Sequence, residues 1–187
     1  MERKENQRIM LTRKLLRDAF LKMLQTQPIH AISIRELCEH AGINRTTFYH
    51  HYSSQYALFD DISEHFLSQI AERLAEVDPE NQESIQERVT LVFQYLEENP
   101  ELSRLMLTSS IDPHFAEKLL ALPKISDLLN ASLKNCTDPS MRQAMLSFAI
   151  HGSYHLLQAW LSSSPRLPAQ AQARIILELS RRVCTDA

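Results

Sequence analysis

The 187-residue sequence predicts an all-α fold, and three observations lead there. Glycine is nearly absent, with two in the chain, Gly42 and Gly152. Hairpin turns and phosphate-cradling loops draw on glycine for positive φ, so a β-sandwich, a Rossmann unit or a P-loop is argued against. Neither GxGxxG nor GxxxxGK[ST] occurs. Proline punctuates the chain: four of the eight follow Asp or Asn, at Asp78-Pro79, Asn99-Pro100, Asp112-Pro113 and Asp138-Pro139. An Asx cap followed by proline at the first helical position is a sound helix start, and it also ends the preceding helix. Between these breaks the apolar residues recur at helical spacing.

Taken in order, Ile9, Leu16, Ala19, Phe20, Met23 and Leu24 form one face of a first helix. Ile34, Leu37, Cys38 and Ala41 follow the i, i+3, i+4, i+7 pattern of a short second one. Phe59, Ile62, Phe66, Ile70, Leu74 and Val77 stripe a long helix over about 54–77, and Ile85, Val89, Val92, Phe93 and Leu96 stripe the next. Shorter helices fill 100–134. Met141, Met145, Phe148, Gly152, Leu156, Ala159 and Trp160 line a long helix, and Ile175, Ile176, Leu179 and Val183 the last, over 168–184.

Charge is divided unevenly. Residues 1–55 carry nine Lys/Arg against five Asp/Glu, whereas 56–187 carry eleven against eighteen, within an overall net of −3. A basic N-terminal module that meets a polyanion, attached to an acidic body, explains the split; an uneven helical protein without that role is the alternative. Cys38, Cys136 and Cys184 are odd in number and lack a CxxC pairing, as expected in a reducing cytoplasm. Met1 to Arg8 is charged with no apolar run behind it, so no signal peptide is expected. The uncharged stretch between Arg142 and Arg166 is interrupted by Ser, His and Gln and is expected to be a buried helix, not a membrane span.

The informative constellation lies in residues 33–52. Ser33-Ile34-Arg35-Glu36 reads as a capping box. Gly42 then supplies a left-handed turn, Ile43 packs back, and Asn44 caps a second helix, Arg45-Thr46-Thr47-Phe48-Tyr49-His50-His51-Tyr52. Two short helices joined by a tight glycine turn make a helix-turn-helix, and the second is dense in hydrogen-bond donors around an inward Phe48. In DNA recognition such a helix offers its N-terminal residues to base edges in the major groove. Arg45 suits guanine, Thr46 a thymine methyl or a base-edge acceptor, and Thr47, Tyr49 and His51 suit phosphates. Ser33, Arg35, Asn44, His50 and Gln55 complete the candidate DNA-binding set. A glycine-turned helix pair with a merely solvated polar face is the competing reading.

Thr12, Leu16, Ala19, Phe20, Ile34, Leu37, Ala41-Gly42-Ile43, Thr47-Phe48-Tyr49, His51-Tyr52 and Leu58 together resemble the N-terminal signature of the TetR family of regulators. The resemblance implies a three-helix DNA-binding head over 1–53 and a helical effector-binding and dimerisation domain over 54–187, with 54–77 as the linking helix. It implies double-stranded DNA and a second copy of the chain as partners, with dimerisation through helices at roughly 139–163 and 168–184. It further implies repression of a near-palindromic operator, relieved by a small molecule or, in the alternative, by a protein partner. Phe148, Gly152 and Trp160-Leu161 resemble a C-terminal subtype of the family. Two departures stand out: Gln55 replaces the lysine usual before the linking helix, and Asn44 and Thr46 replace smaller residues at the start of the recognition helix.

Other constellations are weaker. His151 and His155 share a helix face, but no further ligand accompanies them at metal spacing, so no metal and no cofactor are expected. No GxSxG elbow frames a nucleophile, so no enzyme activity is expected. Phe93, Met106, His114, Phe115, His151 and Tyr154 are candidates for an apolar effector pocket, with core packing the alternative for each. Ala149, Gly152, Leu156, Ala159, Ile175 and Leu179 are candidates for a dimer seam, because small residues on an uncharged stripe let helices approach closely.

Overall fold

The computed structural model describes residues 2–108, 111–133 and 136–185. Among them are ten α-helices and no strand, as the glycine and proline patterns require. They are α1 (Glu2–Leu24), α2 (Ile34–Ala41), α3 (Arg45–His51), α4 (Gln55–Leu74), α5 (Gln82–Glu98), α6 (Pro100–Thr108), α7 (Phe115–Leu120), α8 (Pro123–Ser132), α9 (Pro139–Ser162) and α10 (Ala169–Thr185). A single 3-10 turn, Ile29–Ala31, joins α1 to α2. None of these helices is long and apolar enough to cross a membrane.

The chain divides into two compact units, 1–66 and 67–187, and the division falls within α4. In the first unit α1 packs on α2 and α2 on α3. Leu16, Phe20, Leu37, Phe48, Leu58 and Phe66 are completely buried at its centre. Leu16, Ala19, Phe20 and Met23 of the predicted α1 stripe are in the core, whereas Leu24 is half-buried and Ile9 is exposed.

In the second unit α10 packs against α5 and α9, and α6 packs against α9. Phe93 meets Trp160 edge-on at 5.3 Å, and the Arg166 guanidinium lies over the indole ring at 5.1 Å. The Trp160 indole N–H donates to the Leu167 carbonyl at 2.7 Å, which ties the end of α9 to the chain entering α10. Tyr154 and Gln158, one turn apart on α9, both donate to the Leu107 carbonyl at the end of α6, at 2.9 and 2.6 Å. A helix C-terminus leaves such carbonyls unpaired, and here α9 supplies the missing donors.

The four Asx-Pro pairs split into two behaviours. Pro100 and Pro139 begin helices, the latter capped by Asp138, which accepts from the Ser140 amide at 2.9 Å. Asp78 and Asp112 make the same kind of bond, accepting from the amides of Glu80 and His114 at 3.0 Å each, but no helix begins at the proline between. These are closed turns, and the helices that follow start later, at Gln82 under an Asn81 cap and at Phe115. An Asp side chain that bonds its neighbour's amide makes a turn without committing the chain to a helix. Cys38 is buried and Cys136 half-buried, both as free thiols; the Cys184 side chain lies outside the described residues.

Candidate DNA-binding surface and effector cavity

The α2–turn–α3 unit is set by three capping residues, Ser33, Gly42 and Asn44. Ser33 caps α2, its hydroxyl accepting from the Glu36 amide at 3.2 Å. Glu36 does not reach back to the Ser33 amide as a full capping box would; its carboxylate takes the Ser33 hydroxyl proton at 3.0 Å. Gly42 sits at φ 65°, ψ 29°, the left-handed conformation that favours glycine. The next amide, Ile43, donates to the Cys38 carbonyl at 3.0 Å and closes the helix end. Asn44 then begins α3, its side-chain oxygen accepting from the Thr47 amide at 2.7 Å.

These caps fix how α3 presents its side chains. Phe48 is completely buried and anchors the helix. Arg45, Thr46, Tyr49 and His50 are exposed and share one face at i, i+1, i+4 and i+5. The Tyr49 ring stands edge-on to Phe48 at 5.5 Å and is half exposed. Asn44 is exposed, while Thr47, His51 and Gln55 are half-buried at the border of this face. Burial, with Arg13 and His50 adding to it, lowers the His51 pKa, so at neutral pH its ring offers one N–H and little charge. Ser33 is exposed but faces Glu36, and Arg35 is held by Glu39 at 2.9 Å. Either of these two must release its carboxylate partner to meet a phosphate.

Residues absent from the sequence-level candidates hold this platform together. The Tyr52 hydroxyl, just beyond α3, donates to Asp61 Oδ2 on α4 at 2.7 Å. Arg17 on α1 grips the same oxygen through Nη2 at 2.7 Å and Nε at 3.1 Å. Burial pushes Tyr52 up to about 12, helped by its bond to Asp61. Burial works to raise the Asp61 carboxyl too, but the bonds from Arg17 and Tyr52 outweigh it and hold the group below its ordinary value. A depressed carboxylate pKa stabilises the fold above the unfolded value, about 3.9, and that contribution vanishes as pH falls through the folded one. Asp61→Asn is therefore expected to destabilise residues 1–66 at pH 7 by about 1–3 kcal/mol. The gap from the parent should close in urea unfolding below about pH 4. An unchanged gap at acid pH would show that the carboxylate charge is not what matters.

The second unit contains a cavity of about 580 Å³. Phe93 and Tyr154 line it, as anticipated, together with aliphatic residues such as Ile70, Leu74, Val89 and Leu157. Met106, His114, Phe115 and His151 are not in its wall. Met106 and Phe115 are buried in the core; His114 is exposed and pairs with Glu117 at 3.2 Å. The cavity face of α9 runs through Ala149, Ile150, Ser153, Tyr154 and Leu157, which turns His151 to the opposite side.

That geometry also divides the seam candidates. Ala149 is buried and lines the cavity. Leu156 and Gly152 are half-buried, and Ala159, Ile175 and Leu179 are exposed. Two residues outside the candidate set, Met141 and Phe148, exposed by 49% and 67%, are large apolar side chains in water on the same helix. Beside Phe148 a surface hollow is bordered by Ala144, Ser147, His151 and Gly152. Both Met141 and Phe148 belong to the apolar set that lines this helix in the sequence, seven positions apart.

Comparison with known proteins agrees with both units. Residues 16–62 match the model described as bacterial regulatory proteins, tetR family, and residues 83–182 match a transcriptional regulator C-terminal region. Over 137 residues the chain is 23% identical to the nucleoid occlusion factor SlmA of Marinomonas sp. (strain MWYL1), covering 72% of this chain and 68% of that one. The fold resembles the crystal structure of a TetR transcriptional regulator from Streptococcus agalactiae 2603V, with a TM-score of 0.71 and 18% identity, over 96% of this chain and 99% of the other. It also resembles the dihydroxyacetone kinase operon activator DhaS, with a TM-score of 0.59 and 19% identity, over 90% and 93%.

Proposed function

The chain belongs to the tetR family of bacterial DNA-binding regulators, and from that premise we propose that it is a homodimeric repressor released by a small-molecule effector. The observation that carries the DNA-binding half is the exposed face of α3, where Arg45, Thr46, Tyr49 and His50 stand over buried Phe48. In a two-fold dimer the two α3 helices enter successive major grooves about 34–36 Å apart, so the operator is near-palindromic. The apolar surface at Met141, Phe148, Ile175 and Leu179 supports self-association, since large exposed apolar groups gathered on two neighbouring helices mark a binding face. The cavity of the second unit supports a ligand. Its occupation relieves repression only if the ligand binds the DNA-free arrangement more tightly than the bound one. Repression itself is drawn from the family likeness; the name of DhaS is that of an activator, and the position of the operator relative to the promoter decides the sign.

Selection of binding sites from a random duplex library, followed by anisotropy titrations across a salt series, tests the reading. A near-palindromic site is expected, and recovery of no site at low salt would reject the proposal. Arg45→Ala should then flatten the base preference at one position of each half-site by about 1–3 kcal/mol. Tyr49→Phe removes only a hydroxyl and keeps the ring on Phe48, so it should weaken all sequences alike. Full discrimination retained by Arg45→Ala would remove that residue from base readout.

A further inference from the structure

The cavity wall and its mouth differ in chemistry, and the difference specifies a ligand. Lining residues that are buried, such as Ile70, Leu74, Phe93, Leu96, Leu157 and Ile176, are almost wholly hydrocarbon. The half-buried polar groups of the wall, Ser153, Ser180 and Tyr154, already have partners. Ser153 and Ser180 share a hydrogen bond at 3.1 Å, and the Tyr154 hydroxyl donates to the Leu107 carbonyl. A ligand with donors or acceptors along its body would leave them unpaired in this interior, whereas a plain hydrocarbon chain leaves nothing unsatisfied.

The exposed lining residues mark the mouth: Glu80 and Gln82 before and at the start of α5, and Arg174 and Arg181 on α10. Glu178, also at the mouth, is gripped by two arginines, Arg181 at 3.0 Å and Arg182 at 2.7 Å. Hydrogen bonds from Arg181 and then Arg182 hold its carboxyl down to about 2, so it stays ionised and matched. Arg174 has no partner among the described residues. A cation without a counterion therefore stands at the opening of a hydrocarbon-lined space. Resting on the reading of an effector-controlled regulator, we propose that the cavity binds an aliphatic carboxylate, with its unbranched chain inside and its head group on the Arg174 guanidinium. A volume of about 580 Å³ lies within the range of ligand sites and is ample for a medium-length chain.

Calorimetry on the full chain with octanoate, decanoate and dodecanoate, each below its micelle concentration, tests the chain. Affinity should rise about fourfold per added methylene while the cavity still has room. Dodecanol and dodecylammonium test the head group. Dodecanoate should bind about tenfold more tightly than dodecanol, through a charge-assisted bond partly screened at an open mouth. Dodecylammonium should bind more weakly than either, unless Glu80 and not Arg174 sets the sign, in which case the proposal falls. Arg174→Gln should bring dodecanoate to the affinity of dodecanol and leave dodecanol unchanged, which reads the head-group contact without disturbing the fold. An affinity indifferent to chain length, or a carboxylate preference untouched by Arg174→Gln, would overturn the assignment. The regulatory reading fails separately: dodecanoate that binds as described yet leaves the complex with the selected duplex intact keeps this site and rejects effector control through it.

Discussion

Phe48→Ala is expected to remove about 3–5 kcal/mol from the stability of residues 1–66, close to the whole margin of a small domain. The ring is completely buried, between the edge of Tyr49 at 5.5 Å and the tilted ring of Tyr52 at 5.9 Å. Alanine leaves a void under the recognition helix that a seven-residue element, held by one cap and one anchor, cannot close by itself. DNA binding should disappear although no side chain on the exposed face has changed. Urea unfolding followed by circular dichroism measures the loss, and a change below about 1 kcal/mol would mean that the site collapses to fill the space. Tyr49→Phe is the contrasting control, since its effect on stability is expected to be slight.

The second large effect is expected from Phe148→Asp. The side chain is 67% exposed, so the single chain should fold as before. If the α9–α10 face is the seam between copies, a carboxylate placed at this apolar anchor should weaken self-association by about 2 kcal/mol or more, roughly thirtyfold. Sedimentation equilibrium reads the shift directly, and affinity for a palindromic duplex should fall with it. Gly152 offers a companion measurement. A Cβ built at this position meets nothing within 4 Å inside the chain, so the fold itself gives no reason for glycine in mid-helix. Gly152→Ala should raise the stability of the single chain by about 1 kcal/mol while weakening association. Unaltered association in both variants would place the seam elsewhere.

The parts of the site that were legible in advance are those decided within a few residues. Ser33, Gly42 and Asn44 each act on amides or carbonyls three to five positions away, and their residue types admit few other uses at those spacings. The all-α class followed from the same local logic. Contacts across long separations left no such trace. Arg17 and Asp61 are 44 positions apart, and nothing in either segment names the other. The Asp-Pro pairs at 78 and 112 show the limit of local reading from the other side, because the same two residues serve a helix start or a closed turn. The cavity was least legible of all. Whether an apolar side chain fills a core or borders a void depends on how several helices converge, and periodicity reports only which way each residue points.

The hydrogen bond that starts α3 also restricts what the protein can read. Because Asn44 Oδ1 already accepts from the Thr47 amide, the N–H groups are the uncommitted part of its side chain. Paired recognition of adenine by an asparagine needs one acceptor and one donor together, N6 giving and N7 taking. Asn44 is left with half of that vocabulary. Its free N–H groups address an edge that accepts, such as guanine N7 and O6 or thymine O4, whereas the exocyclic amines of adenine and cytosine would have to share an oxygen already in use. The operator position under the start of the recognition helix is thus expected to be a base rich in acceptors, a choice written by a helix cap.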